Sequence, residues 1–176
     1  MPSSSPVKYS STAVLLHWIG ALMVIGLIVV GKLMEDMTGT EKMTVLSIHY
    51  YGGLATGVVF LLRLVFFFVH ARPNDDPSWP TWQAKIAKLV HAILYLLPII
   101  MVASGMIAMS VYGLGTYVSA GDFEGYQAAS RVPPMLVHAL TASLLIAAIA
   151  LHVVAALYHQ FVQKDHIFKR ISMRKA

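Results

Sequence analysis

The chain has 176 residues, of which 57% are hydrophobic and only 12% charged, with a mean hydropathy of +0.69 and a formal net charge of +5. Soluble domains carry roughly a quarter of charged residues, so this composition excludes an ordinary globular protein and points to lipid as the solvent. The absence of cysteine excludes disulfides, thiolate zinc sites, iron–sulfur clusters and cysteine nucleophiles.

Four uncharged runs follow one another along the chain. The first spans 23 residues between Lys8 and Lys32, and the second spans 20 between Lys42 and Arg63. The third spans 33 residues between Lys88 and Asp122, its dense apolar part ending near Tyr112; the fourth spans 32 between Arg131 and Lys164. Each can cross a bilayer as one helix of about 20 residues. Their apolar character is continuous where barrel strands would alternate. The expected fold is therefore an all-α four-transmembrane-helix bundle, one domain over 1–176, with helices over about 11–33, 43–69, 86–112 and 134–163. The first run is longer than a signal-peptide core and contains His17 and Trp18, so it is expected to persist in the mature protein.

The second connection holds Arg72-Pro73-Asn74-Asp75-Asp76-Pro77, then Trp79-Pro80-Thr81-Trp82, which is turn chemistry followed by interface-seeking tryptophans. Thr81 is expected to cap a short interfacial helix bearing Lys85 and Lys88 that leads into the third span. The third connection, Tyr112 to Pro134, is glycine-rich and ends in Pro133-Pro134. Ten of the 13 Lys and Arg residues fall on the side of the termini and the second connection. The positive-inside rule places both termini in the cytoplasm, and the basic tail needs no nucleic acid to explain it.

Eight histidines are too many for a chain this apolar unless most have partners. His17 lies early in the first span and His49 early in the second, so they occupy opposite leaflets. On the fourth span His138 comes early and His152 lies 14 residues later, about 21 Å deeper and within roughly 40° of the same face. Depth therefore pairs His17 with His152 and His49 with His138. Two bis-histidine sites stacked across the membrane suit two non-covalent b-type haems, the iron of each held by two neutral imidazoles from facing helices. With no cysteine, covalent c-type attachment is excluded. Zinc would gather three or four ligands at one depth, whereas here they divide two and two. Gly20, Gly52, Gly53, Ala142 and Ala156 beside these histidines would let a macrocycle approach the backbone, and they would equally serve helix packing.

Several stretches resemble the bacterial cytochrome b561 family of four-helix dihaem inner-membrane proteins. They are Tyr9 with His17-Trp18, His49 with Gly52-Gly53, Leu62-Arg63-Leu64 with Arg72-Pro73, and His91 with Leu94-Tyr95-Leu96-Leu97-Pro98 and Ser104-Gly105. The resemblance continues through His138 and from His152 through Ala155-Ala156-Leu157-Tyr158-His159 to Lys164-Asp165 and Arg170. It implies the same axial ligands in the same pairs, and a quinone contact for the histidine at position 159.

His91 and His159 are left without haem iron at the cytoplasmic end, where an imidazole can donate to, or accept a proton from, a quinone. Arg63 interrupts the second span and should face inward, toward a haem propionate first and a quinone second, snorkelling to the interface being the bland alternative. Lys42 and Arg131 are outer-side cations able to meet propionates or a small anion, whereas His70 and His166 lie in connections with no assigned role. The ten methionines read as packing. By the resemblance, the function is oxidation of superoxide at the periplasmic side with reduction of ubiquinone near the cytoplasmic haem. One rival is a cytochrome b subunit passing electrons between the quinone pool and a separate periplasmic redox protein; another is a haem-free metal transporter.

Overall fold

The computed structural model describes residues 9–70 and 79–172. Lys8, the Arg72–Pro77 turn, Arg174 and Lys175, all used in the reading above, lie outside the described residues. Helix α1 runs Ser11–Leu33, α2 Gly39–Val69, α3 Thr81–Ser110, α4 Leu114–Ala120, α5 Phe123–Ala129 and α6 Pro133–Tyr158. A 3-10 turn, Met34–Asp36, extends α1, and a π-helical turn, His159–Gln163, extends α6. Four helices, α1, α2, α3 and α6 with their extensions, are long and apolar enough to cross a membrane. The expected all-α bundle is the observed fold.

The helix ends follow local chemistry. Ser10 caps α1 by accepting from the Ala13 amide at 3.3 Å. Helix α2 starts at Gly39, itself at φ +64°, four residues earlier than expected. Glu41 in its first turn suits the positive end of the helix dipole, so a charged stretch that reads as loop is helical. Helix α3 absorbs the separate interfacial helix expected before it. Pro80, not Thr81, is its N-cap residue, and the Pro80 carbonyl accepts from the Gln83 and Ala84 amides at 3.0 and 3.2 Å. Pro98 sits buried inside α3 and removes one intrahelical donor there.

The glycine-rich third connection is also more ordered than its composition suggests. Gly113 at φ +72° and Gly121 at φ +69° bracket α4, and Asp122 caps α5 by accepting from the Gly125 amide at 2.9 Å. These short helices bury Leu114, Val118 and Tyr126 against Met43 of α2 and Ala108 of α3, closing one end of the bundle. A second core of Val24, Phe60, Leu97 and Leu145 fills the middle, where all four spans meet. Helix α1 packs on α2, α2 on α3 and α3 on α6. Outward-facing Leu22, Phe68, Leu136 and Leu144 are 60–75% exposed, a surface suited to acyl chains rather than water.

Candidate functional site

At the capped end α2 presents His49 and α6 presents His138, their ring centres 6.2 Å apart and their planes inclined by 69°. Nδ1 of His138 lies 3.0 Å from the Met101 carbonyl oxygen and 3.2 Å from Ser104 Oγ. The Ser104 hydroxyl donates its own proton to that carbonyl at 3.0 Å. A carbonyl only accepts, so the imidazole proton sits on Nδ1 and the Nε2 lone pair is left free. Glycines let the neighbouring helices close on both rings. A Cβ at Gly31 would lie 3.4 Å from His49 Cε1, and one at Gly105 would lie 3.5 Å from His138 Cε1. His49 Nδ1 is buried and has no hydrogen-bond partner among the described residues.

Toward the opposite end His17 of α1, His91 of α3 and His152 of α6 gather with Arg63 of α2. The His91 and His152 ring centres are 5.3 Å apart, and His17 lies within electrostatic range of Arg63, His152 and His91. Arg63 turns inward, its guanidinium 5.1 Å from the ring centres of both Phe60 and Tyr95, with Nη2 3.2 Å from His17 Nδ1. A guanidinium only donates, so His17 Nδ1 accepts. Gly20 makes room for it, since a Cβ there would come within 3.2 Å of Arg63 Nη1. At Gly52 a Cβ would lie 3.1 Å from Leu27 Cδ2, a close approach between α1 and α2.

Beyond this cluster lies His159, 9% exposed. Its Nδ1 hydrogen-bonds the Asp165 carboxylate and its Nε2 lies 2.9 Å from Gln83 Nε2. Gln83 also donates to Gln163 Oε1 at 3.2 Å, and Trp79 Nε1 donates to Asp165 Oδ2 at 3.0 Å. The sequence reading groups His91 with His159, whereas the structure sets His91 against His152. His70 stacks on Phe66 with ring centres 4.4 Å apart, His166 takes a left-handed backbone at φ +57°, and Lys42 sits 5.8 Å from the Phe123 ring centre. Arg131 is exposed two residues before α6 and lines an open groove of about 390 Å³. Ser104, Gln83, Trp79 and Asp165 escaped functional assignment from sequence. Ser104 and Asp165 stood within recognised stretches, but nothing in the one-dimensional spacing indicates their partners.

A family model described as prokaryotic cytochrome b561 matches residues 8–172. The chain belongs to the prokaryotic cytochrome b561 family. It is 26% identical to a cytochrome b561 homolog, number 1, of Escherichia coli K12, over 96% of this chain and 98% of the relative. It is 28% identical to a cytochrome b562 of Cereibacter sphaeroides, over 93% and 94% of the two chains. It is 24% identical to a probable superoxide oxidase, CybB, of Yersinia pestis, over 96% and 97%. The cytochrome b561 family is a haem-binding, membrane-embedded helical bundle with an electron-transfer role, and its cofactor is b-type haem.

The capped-end histidines fit that group. Iron about 2 Å from one nitrogen of each of two opposed imidazoles separates the ring centres by roughly 6 Å, which matches the separation of His49 and His138. The Met101 carbonyl gives His138 the tautomer an Nε2 ligand requires. The other cluster offers three imidazoles and a guanidinium, a donor set with one imidazole more than a six-coordinate haem iron takes.

Proposed function

We propose that the protein carries single electrons across the bacterial inner membrane, accepting them from superoxide at the periplasmic side and delivering them to ubiquinone at the cytoplasmic side, with both termini cytoplasmic. The observation that carries this reading is the division of imidazoles between two depths. His138 and His152 lie 14 residues apart on α6, about 21 Å along its axis. On this reading His49 and His138 hold one haem and His17 and His152 a second. Bound there, b-type haem supplies reversible one-electron chemistry at each level.

The chain's own groups account for the rest. The Met101 carbonyl and Ser104 hydroxyl orient His138 and keep its proton on Nδ1. Arg63 keeps a positive charge inside the bundle, held by Phe60 and Tyr95, where it can neutralise a propionate or meet a quinone oxygen. The α4–α5 cap covers the outer end with a packed core, which limits water access to His49 and His138. Lys42 and Arg131 supply positive charge on that side for an approaching small anion. On this reading His159 and His91 supply imidazole on the cytoplasmic side, and His159 exchanges a proton with the quinone. The relative named as a probable superoxide oxidase supports the choice of donor.

The test is the reduced-minus-oxidised visible spectrum of purified protein offered superoxide and, separately, ubiquinol. A haem band that develops with both supports the proposal. A haem spectrum that does not respond to superoxide refutes the donor assignment, and faster reduction by a co-purifying periplasmic redox protein would make the chain a carrier subunit. Absence of any haem band would leave the metal-transporter reading.

A further inference from the structure

The His159 network contains a carboxylate, that of Asp165. Asp165 side-chain exposure is 10%, and the residue follows a stretch of irregular backbone. After α6 the chain widens into the π-helical turn His159–Gln163, and Lys164 and His166 both adopt left-handed conformations, at φ +58° and +57°. π-Helical turns and left-handed non-glycine residues cost energy and concentrate where a side chain must be aimed. Here they turn Asp165 back onto the residue six positions earlier. The Asp165 amide donates to the His159 carbonyl at 3.3 Å, and Asp165 Oδ1 accepts from the Ile167 amide at 3.3 Å.

The hydrogen bonds are mutually consistent in only one sense. A carboxylate accepts, so His159 Nδ1 donates to Asp165. Gln83 uses one amide hydrogen toward His159 Nε2 and the other toward Gln163 Oε1, so Nε2 accepts. The Gln83 N–H therefore occupies the donor position that a quinol hydroxyl would take on Nε2. Trp79 braces the carboxylate with its indole N–H and packs its ring against the imidazole, ring centres 4.7 Å apart, while the Arg170 guanidinium lies 5.8 Å from the indole ring centre.

We infer that Asp165 is the positioning residue for His159, holding its Nδ1–H so that Nε2, where the Gln83 amide now donates, is the nitrogen left to exchange a proton with a quinone that displaces that amide, and carrying the negative charge that balances the imidazolium when a proton resides there. The inference rests on the quinone reading of His159. Overall, two superoxide ions, one quinone and two protons become two dioxygen molecules and one quinol. At His159 the step is a single proton: the Nε2–H bond breaks as an O–H bond forms on a quinone carbonyl oxygen that gains an electron. The neutral imidazole keeps Nδ1–H on Asp165, and Nε2 takes its next proton from cytoplasmic water. In quinol oxidation the same proton moves the other way.

The experiment is anaerobic stopped-flow reduction of the haem-loaded full chain by decylubiquinol, followed at the haem band, with dithionite reduction and haem content as controls. Asp165→Asn keeps the shape and loses the charge. It is expected to lower the limiting rate about 10- to 100-fold, within the range of general acid–base contributions. The half-saturating quinol concentration, haem content and spectrum should stay unchanged, and the solvent deuterium isotope effect should rise. Trp79→Phe keeps the ring and removes the donor to Asp165, so a smaller loss of limiting rate, about threefold, is expected in the same direction for a single lost hydrogen bond. An Asp165→Asn protein with wild-type limiting rate, or one whose slower rate merely tracks lost haem, overturns the inference while a slow His159→Gln protein leaves the quinone reading standing. A His159→Gln protein with wild-type quinol kinetics overturns both.

Discussion

Ser104→Ala isolates the tautomer argument at His138. The side chain is 5% exposed, and its oxygen lies 3.2 Å from His138 Nδ1 while its proton goes to the Met101 carbonyl at 3.0 Å. Alanine leaves the Met101 carbonyl as the sole acceptor for the Nδ1–H, so the ring keeps its orientation and loses half of a bifurcated bond. A net hydrogen bond of this kind contributes about 1 kcal/mol. A weaker acceptor at Nδ1 makes Nε2 a poorer donor, which disfavours the more positive ferric state. If the full 1 kcal/mol acts on that state alone, the midpoint potential of the haem proposed to bind at His138 rises by about 40 mV, since tenfold in a one-electron equilibrium is about 59 mV. Potentiometric titration followed at the visible band measures this directly. The reasoning fails if the potential falls, or if the component that shifts is the one removed by His152→Ala.

Other consequences are as specific. His138→Ala and His152→Ala should each leave half the haem of the wild-type protein by pyridine haemochrome assay, because the two histidines serve different levels; loss of all haem in either single variant would argue for one shared site. Leu114 is fully buried in the α4–α5 cap, so Leu114→Ala should lower stability by about 2–5 kcal/mol in detergent thermal or denaturant melts. A loss below about 1 kcal/mol would mean that the cap contributes little to folding. Burial raises the Tyr126 phenol above its usual value of 10.0. Its contribution is fully present below pH 10 and is lost as pH rises through the folded value, because the unfolded chain ionises first. Melting temperature between pH 8 and 11 should therefore fall less steeply in Tyr126→Phe than in wild type.

Much of the candidate site is readable from one dimension because a membrane imposes one. Depth along an apolar helix is proportional to residue number, so His49 and His138 can be matched across separate spans, and they meet with ring centres 6.2 Å apart. The same logic cannot distinguish His91 from His17 as the neighbour of His152, because all three lie at similar depth and helix rotation decides which rings touch. Arg63 was expected to turn inward from the cost of lipid exposure, but its contacts with Phe60, Tyr95 and His17 depend on three helices at once.

The sequence by itself determined the solvent, the number of spans, the helical class and the levels of the histidines, because hydrophobic transfer and helix rise are local and additive along the chain. Only the tertiary structure decided what lies between the spans and what each polar group meets. Gly39-Thr40-Glu41-Lys42 and the Gly113–Ala129 segment read as loop, yet both are helical where Met43, Leu114 and Tyr126 bury one another. The partnership of Asp165, Trp79 and Gln83 with His159 likewise joins the start of α3 to the end of α6, 76 residues apart in the Gln83–His159 pair. Such contacts arise from packing and chain reversal, and helical periodicity carries no record of them.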